Sequence, residues 1–235
     1  MRMRKKKHGA ERIQACSSLM IEDFELLKSQ PDYAFENKER LLCLEIGCGK
    51  GNFACGMAAN YPDVSFYALE RVENVMINAL ERAEAERGNR IKDNLRFIIA
   101  NADTLEEWFA PASLDTIYLN FSDPWHKERH AKRRLTYRAY LFKYFRLLKA
   151  GGTIRFKTDN VNLFNFTLEE LTALGLVPDV LTRDLHASPY AEGNVMTEYE
   201  KNFSSQGFPI HMLVLSRPDD SIFEKEEKVE RKKPL

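Results

Sequence analysis

Short runs of almost wholly apolar residues recur along the chain, each separated from the next by a longer stretch in which apolar residues return every three or four positions. The short runs have strand length, and their lack of in-and-out alternation marks strands buried on both faces, as in the middle of a parallel sheet. They predict strands at 41–46, 64–70, 95–100, 116–121 and 153–157. The intervening pattern predicts helices from a glycine-rich turn to about Asn60, near 72–88, briefly near 104–109, and near 134–149. Strand and helix in such alternation form βαβ units, and five strands so connected make an α/β fold with a doubly wound, mostly parallel sheet.

The ends of the chain follow another pattern. A helix near 161–174 leads to strand-like runs at 177–181 and 211–215 on either side of a long polar insert, which predicts an antiparallel pair at the edge of the sheet. Residues 1–40 read as a basic arm and a helical lead-in, with Pro31 interrupting before the first strong strand. Residues 41–218 make a single domain. From 219 to 235 the chain is a charged tail, in which Glu alternates with Lys or Arg after Phe223 without apolar partners, as in a frayed helix or a disordered segment.

Composition adds a few limits. With 235 residues, 44% hydrophobic and 30% charged, the chain suits one globular core. Its 35 basic and 35 acidic residues cancel, so any hold on a nucleic acid has to come from local patches. Cys16, Cys43, Cys48 and Cys55 form no CxxC pair and have no metal spacing, which fits reduced thiols in a cytoplasm and calls for no metal. No run of 18 apolar residues occurs, and the basic start runs into Gly9-Ala10-Glu11-Arg12 instead of an apolar signal core, so neither export nor membrane insertion is expected.

Open α/β sheets bind ligands beyond the carboxyl ends of their strands, so the strand ends are where chemistry is expected. The first strand runs into Glu45-Ile46-Gly47-Cys48-Gly49-Lys50-Gly51, whose glycines permit a tight turn and close backbone approach to a ligand. A dinucleotide site wants glycine at the sixth position to seat a pyrophosphate, but Asn52 stands there. Glu45 would repel a phosphate and suits the ammonium of a methionine moiety, as in S-adenosylmethionine. Glu70 ends the second strand about 20 residues beyond the turn, where a carboxylate accepts from ribose hydroxyls. Asn101 and Asp103 follow the third strand, where either acceptor oxygen would meet an adenine amino group. Taken singly, Glu45 could pair with a nearby Lys, and Asn101 and Asp103 could simply cap the next helix.

Asn120-Phe121-Ser122-Asp123-Pro124-Trp125 ends the fourth strand. The Asp123 carboxylate can accept from N1–H and the N2 amino group of guanine together, which makes it the first choice of catalytic residue, while Trp125 stacks on a base or packs. Guanine N7 has a lone pair and no proton to remove, so methylating it needs alignment and electrostatic support more than a general base. The cation-dense run from His126 through Arg134 follows directly and suits RNA phosphates; taken alone such a run is more commonly a solvated loop, but its position one turn past Asp123 favours RNA. Arg2, Arg4, Lys5, Lys6 and Lys7 offer a second basic segment.

The segments Leu44-Glu45-Ile46-Gly47-Cys48-Gly49-Lys50-Gly51, Asp123-Pro124-Trp125-His126-Lys127-Glu128-Arg129-His130-Ala131-Lys132-Arg133-Arg134, Lys157-Thr158-Asp159-Asn160 and Thr197-Glu198-Tyr199-Glu200 together resemble the bacterial tRNA (guanine-N7)-methyltransferases, over about residues 40 to 216. The resemblance implies a Rossmann-like class I methyltransferase fold that uses S-adenosylmethionine to form 7-methylguanosine in the tRNA variable loop. By position it implies that Glu45, Glu70, Asn101 and Asp123 contact the cofactor beside Gly47, with Asp123 also the active-site acid. Lys127, Asp159, Thr197, Glu198, Tyr199 and Glu200 would contact the substrate, and Arg129, His130, Lys132, Arg133 and Arg134 the RNA. Relatives often carry Asp where Asn101 stands, so the adenine contact passes to the Asn101 amide oxygen or to Asp103. Apart from the resemblance, Thr197 and Glu200 read as a capping box and Asp159 as a helix N-cap. The glycine turn with Glu70 also admits an NAD-linked oxidoreductase, and the two basic segments a non-catalytic RNA-binding protein.

Overall fold

The computed structural model describes residues 6–88, 91 and 93–231. A lead-in of α1 (Gly9–Ala15) and α2 (Phe24–Ser29) precedes the alternation of β1 (Leu41–Ile46), α3 (Asn52–Asn60), β2 (Val64–Glu70), α4 (Glu73–Glu86), β3 (Leu95–Ile99), α5 (Leu105–Trp108), β4 (Leu114–Asn120), α6 (Arg138–Leu147), β5 (Leu148–Thr158) and α7 (Val161–Ala173). The chain continues through β6 (Val180–Thr182), α8 (Glu198–Ser204), β7 (His211–Ser216) and α9 (Ile222–Arg231). The seven strands form one sheet in the order β3-β2-β1-β4-β5-β7-β6. β1 through β5 pair in parallel, and β7 runs antiparallel to both β5 and β6. The doubly wound sheet with an antiparallel edge is thus as the apolar pattern led one to expect.

Successive side chains of a strand point to opposite faces, and here both faces are covered. Leu42, Leu44 and Ile46 of β1, with Tyr67 and Leu69 of β2, join a core that takes in Phe109, Phe142, Phe145 and Phe164. Cys43, Phe66 and Ala68 face the other way, into a second core with Phe53, Met76 and Leu80. This is why the central strands carry no polar alternation. The order reverses at β1 and β4, whose carboxyl ends splay into the crevice where α/β ligands bind.

Several boundaries differ from the sequence pattern for visible reasons. α6 begins at Arg138, not near 134, because a 3-10 helix over Glu128–Arg133 comes first and Arg134 is extended, its guanidinium turned back to the backbone of the preceding turn. β6 starts at Val180, past Pro178, and Asp179 N donates to Val214 O at 2.9 Å. The charged run after Phe223 is a packed helix at its start: Ile222 is buried in the main core, and Arg146 meets Glu226 at 2.6 Å. α1 lies on α4 through Arg12 and Glu81. Of the basic arm, Lys6 bonds Asn74 and Asn78, whereas Arg2, Arg4 and Lys5 lie outside the described residues, as does the tail beyond 231. Among the described residues no helix is long and apolar enough to cross a membrane.

Candidate cofactor and substrate site

Beyond β1 the backbone turns through Gly47, Gly49 and Gly51, all at positive φ. Gly47 N and Cys48 N both donate to Leu69 O, which locks the turn against the end of β2. At Gly51 the requirement is steric as well as conformational: a Cβ there would sit 2.8 Å from Ala79 Cβ, so α3 and α4 approach only because it is missing.

Two cavities open at these strand ends. The larger, about 790 Å³, is lined by Glu45, the glycine turn, Asn120 and Phe121, with Thr197, Glu198, Tyr199 and the helix after them forming the opposite wall. The smaller, about 270 Å³, is lined by Glu70, Arg71, Asn101, Asp123, Trp125 and Tyr140, among others. Gly47 and Phe121 belong to both walls, so the two meet at the ends of β1 and β4.

Glu45 is only 2% exposed. Its Oε1 accepts from Asn120 Nδ2 at 2.9 Å, while its Oε2 and Asn120 Oδ1 are buried without a hydrogen-bond partner. Burial pushes the Glu45 carboxyl up to about 7, against the opposing pull of the Asn120 bond and of Lys157. Both residues line the larger cavity, and two orphaned acceptors in its wall suit a cationic donor, because a buried polar atom left unpaired is costly. Lys157 does not pair directly with Glu45.

Glu70 accepts from Val72 N at 2.9 Å and from Gly49 N at 3.2 Å, so its carboxylate is held at the rim of the glycine turn. Asn101 lines the smaller cavity and caps the 3-10 turn Ala102–Thr104, as the local reading of the sequence allows. Asp103 turns away: it accepts from Asn101 Nδ2 and from Tyr140 OH, and its carbonyl accepts from Lys143 Nζ. Asp123 projects with 71% of its side chain exposed, 3.6 Å from the Arg71 guanidinium.

Phe121 and Trp125 on either side of Asp123 both hold positive φ, a conformation that costs bulky residues energy. Arg134 holds this turn from outside, donating to Pro124 O at 2.9 Å and Trp125 O at 3.1 Å. Arg134 is therefore committed to the turn, although the charge run had suggested a phosphate contact. Arg133 lies over the Trp125 ring at 5.0 Å and lines the smaller cavity, and the His130 ring stands edge-on to Trp125. Lys127, Arg129 and Lys132 are exposed on the same 3-10 segment and its approach.

Thr197, Glu198 and Tyr199 line the larger cavity, but Lys127 and Asp159 line neither. The N-cap of α7 is Asn160, accepting from Leu163 N, instead of the expected Asp159, since the helix starts one residue later. The capping box of Thr197 and Glu200 is present. Glu200, also read as a substrate contact, is 0% exposed, and its oxygens are taken by Lys157, Asn194 and His186. Reasoning from sequence gave no role to Asn120, Lys157, Asn194 or His186. Asn120 and Lys157 could have been found by the same strand-end rule that singled out Glu45; Asn194 and His186 are brought in only through tertiary folding.

A family model described as a putative methyltransferase matches residues 39–213. The chain is 42% identical over 209 residues to a tRNA (guanine-N(7)-)-methyltransferase of Lachnoclostridium phytofermentans, covering 89% of this chain and 95% of that one. It is likewise 42% identical over 214 residues to the enzyme of that name from Limosilactobacillus reuteri, with 91% and 98% coverage. A solved antibiotic-related methyltransferase superposes with a TM-score of 0.59 at 17% identity, over 83% of this chain and 94% of that one, and shares the fold. With this sheet order and this strand-end site, the chain has the class I S-adenosylmethionine-dependent methyltransferase fold and belongs to the tRNA (guanine-N(7)-)-methyltransferase family.

Proposed function

We infer that this protein transfers the methyl group of S-adenosylmethionine to N7 of a guanine in tRNA, in the variable loop. The observation that carries the reading is the junction at Gly47 and Phe121, where a cavity ending in the unpaired Glu45 oxygen meets one bordered by Asp123. The donor supplies an electrophilic methyl on a sulfonium centre; the residues bind and align.

Glu45 and Asn120 offer their unpaired oxygens to the ammonium of the methionine moiety. Glu70 accepts from the ribose hydroxyls, and Asn101, with Asp103 engaged elsewhere, takes the adenine amino group. Asp123 holds the Watson–Crick edge of guanine and offsets the positive charge that grows on the ring as N7 is alkylated. Tyr199 and its neighbours border the base on the other side, while Lys127 and Asp159 act from outside the cavities. Arg129, His130, Lys132 and Arg133 meet RNA phosphates, and their contacts set the register of the polynucleotide.

The same buried carboxylate weighs against an NAD-linked enzyme, since it would face a pyrophosphate without a counter-charge. The test is to incubate protein, methyl-labelled S-adenosylmethionine and unmodified tRNA, then identify the nucleosides by mass spectrometry. 7-Methylguanosine is the expected product, and a methyl on any other atom overturns the assignment. Salt-sensitive tRNA binding with no incorporation would leave a binding protein, and thermal protection by NAD alone an oxidoreductase.

A further inference from the structure

Lys157, at the carboxyl end of β5, is 5% exposed and directs its ammonium to three acceptors. These are Glu200 Oε2 at 2.8 Å, Asn194 Oδ1 at 2.9 Å and Val195 O at 3.1 Å. An ammonium has three donors, so this one is fully satisfied. Glu200 Oε1 in turn accepts from Asn194 Nδ2 at 2.6 Å and lies 3.2 Å from His186 Nε2. Four side chains spread over residues 157–200 thus close on one buried point.

All three acceptors, with His186, sit on one segment, 186–200, that crosses the sheet face beside α3. Its other fastenings are Tyr61 OH donating to Gly193 O at 2.8 Å and Val195 packed where Gly56 has no side chain; a Cβ on Gly56 would meet Val195 Cγ1 at 2.6 Å. Glu200 closes the capping box with Thr197, and Thr197, Glu198 and Tyr199 form the wall of the larger cavity opposite Glu45. A buried ion pair adds little stability over apolar residues of like volume, but it fixes one geometry.

We propose that Lys157 is a positioning residue: by pinning Glu200, Asn194 and Val195 it sets the 186–200 strap against β5 and so places the Thr197-Glu198-Tyr199 wall on which the RNA base is held. Glu200 serves the site from beneath this wall and does not touch the substrate. The inference rests on the reading of the junction of the two cavities, bordered on one side by the Thr197-Glu198-Tyr199 wall, as the place where base and methyl donor meet.

The test compares wild type, Lys157→Met, the double variant Lys157→Met with Glu200→Met, and Gly56→Ala, which displaces the strap without altering charge. Lys157→Met is expected to raise KM for tRNA on the order of tenfold or more, because a misplaced binding wall costs alignment. Affinity for 5′-methylthioadenosine, which fills only the smaller cavity, stays within about twofold, since no strap residue lines it. In the double variant the thermal midpoint recovers while KM stays high. Gly56→Ala also raises KM and, like Lys157→Met, speeds tryptic cleavage after Lys201.

Recovery of KM together with the midpoint in the double variant would make the pair merely structural and overturn the proposal. So would folded Gly56→Ala protein with wild-type KM and wild-type cleavage at Lys201. If wild type forms no 7-methylguanosine yet both single variants are cut faster at Lys201, the strap stands as described and the functional reading alone fails.

Discussion

Binding of S-adenosylmethionine should release a proton from Glu45. Burial holds this carboxyl near a value of about 7, with the Asn120 bond and Lys157 opposing the rise and Glu70 adding to it. The ligand's ammonium pairs with the ionised form, so below pH 7 the carboxyl must first lose its proton. Apparent affinity then weakens by about tenfold at pH 6 relative to the ionised limit, and by roughly another tenfold per further unit. The α-amino group of the ligand itself titrates near ~7.7–8.0, which confines the clean window to about pH 5.5–7. Calorimetry at pH 6.5 in buffers of different ionisation enthalpy should register roughly 0.7 proton released per ligand bound. 5′-Methylthioadenosine has no ammonium and should bind without this acid limb, and Glu45→Gln should bind S-adenosylmethionine weakly and without it. A flat profile for wild type, or the same slope for 5′-methylthioadenosine, would refute the assignment of Glu45. The corollary for the free protein follows in sign: the folded carboxyl keeps its proton above the 4.5 of an ordinary Glu, so stability is lost as pH rises from about 4.5 to 7, by roughly 3 kcal/mol from this group.

Asp123→Ala should abolish 7-methylguanosine formation while the thermal midpoint moves by less than ~0.5 kcal/mol equivalent, because the side chain is exposed; a large loss of stability would mark it as structural. Neutralising Arg129 and Lys132, which line neither cavity, should weaken tRNA binding and lower the slope of log affinity against log salt by roughly 2, leaving calorimetric cofactor affinity intact. Arg134→Ala should behave differently, costing about 1–3 kcal/mol in denaturant unfolding and weakening cofactor binding too, since two backbone carbonyls of the Asp123 turn lose their donor. Gly51→Ala should destabilise by about 1–3 kcal/mol through its Cβ clash with Ala79 and its positive φ, read as a lowered midpoint.

Much of this molecule is written in local pattern. The five parallel strands were legible because a strand buried on both faces is a run of apolar residues, and Tyr67 and Phe66 face two different cores. The gathering of Glu45, Glu70, Asn101 and Asp123 around two adjoining cavities was legible because an open α/β sheet forms its crevice at the strand ends, whatever the intervening helices do. A charge run, by contrast, does not say which arginine turns inward. Arg133 and Arg134 are adjacent, yet Arg133 lies over Trp125 while Arg134 holds the backbone behind it. Nor does spacing disclose the partnership of Lys157 with Asn194 and Glu200, 37 and 43 residues away. Only the edge strand, brought back antiparallel beside β5, places the strap over it. Ile222 and Phe223 are only two apolar residues before a charged run, and it takes the finished core to show that a tail begins as a packed helix.

The most direct measurement is a crystal structure of the protein with S-adenosylhomocysteine and a guanine-bearing tRNA fragment. The amino group of the ligand should lie ~3 Å from Glu45 Oε2 and Asn120 Oδ1, with guanine hydrogen-bonded to Asp123 and its N7 turned toward the sulfur across Phe121. A guanine bound outside the junction of the two cavities, or one that presents a different atom to the sulfur, would contradict it.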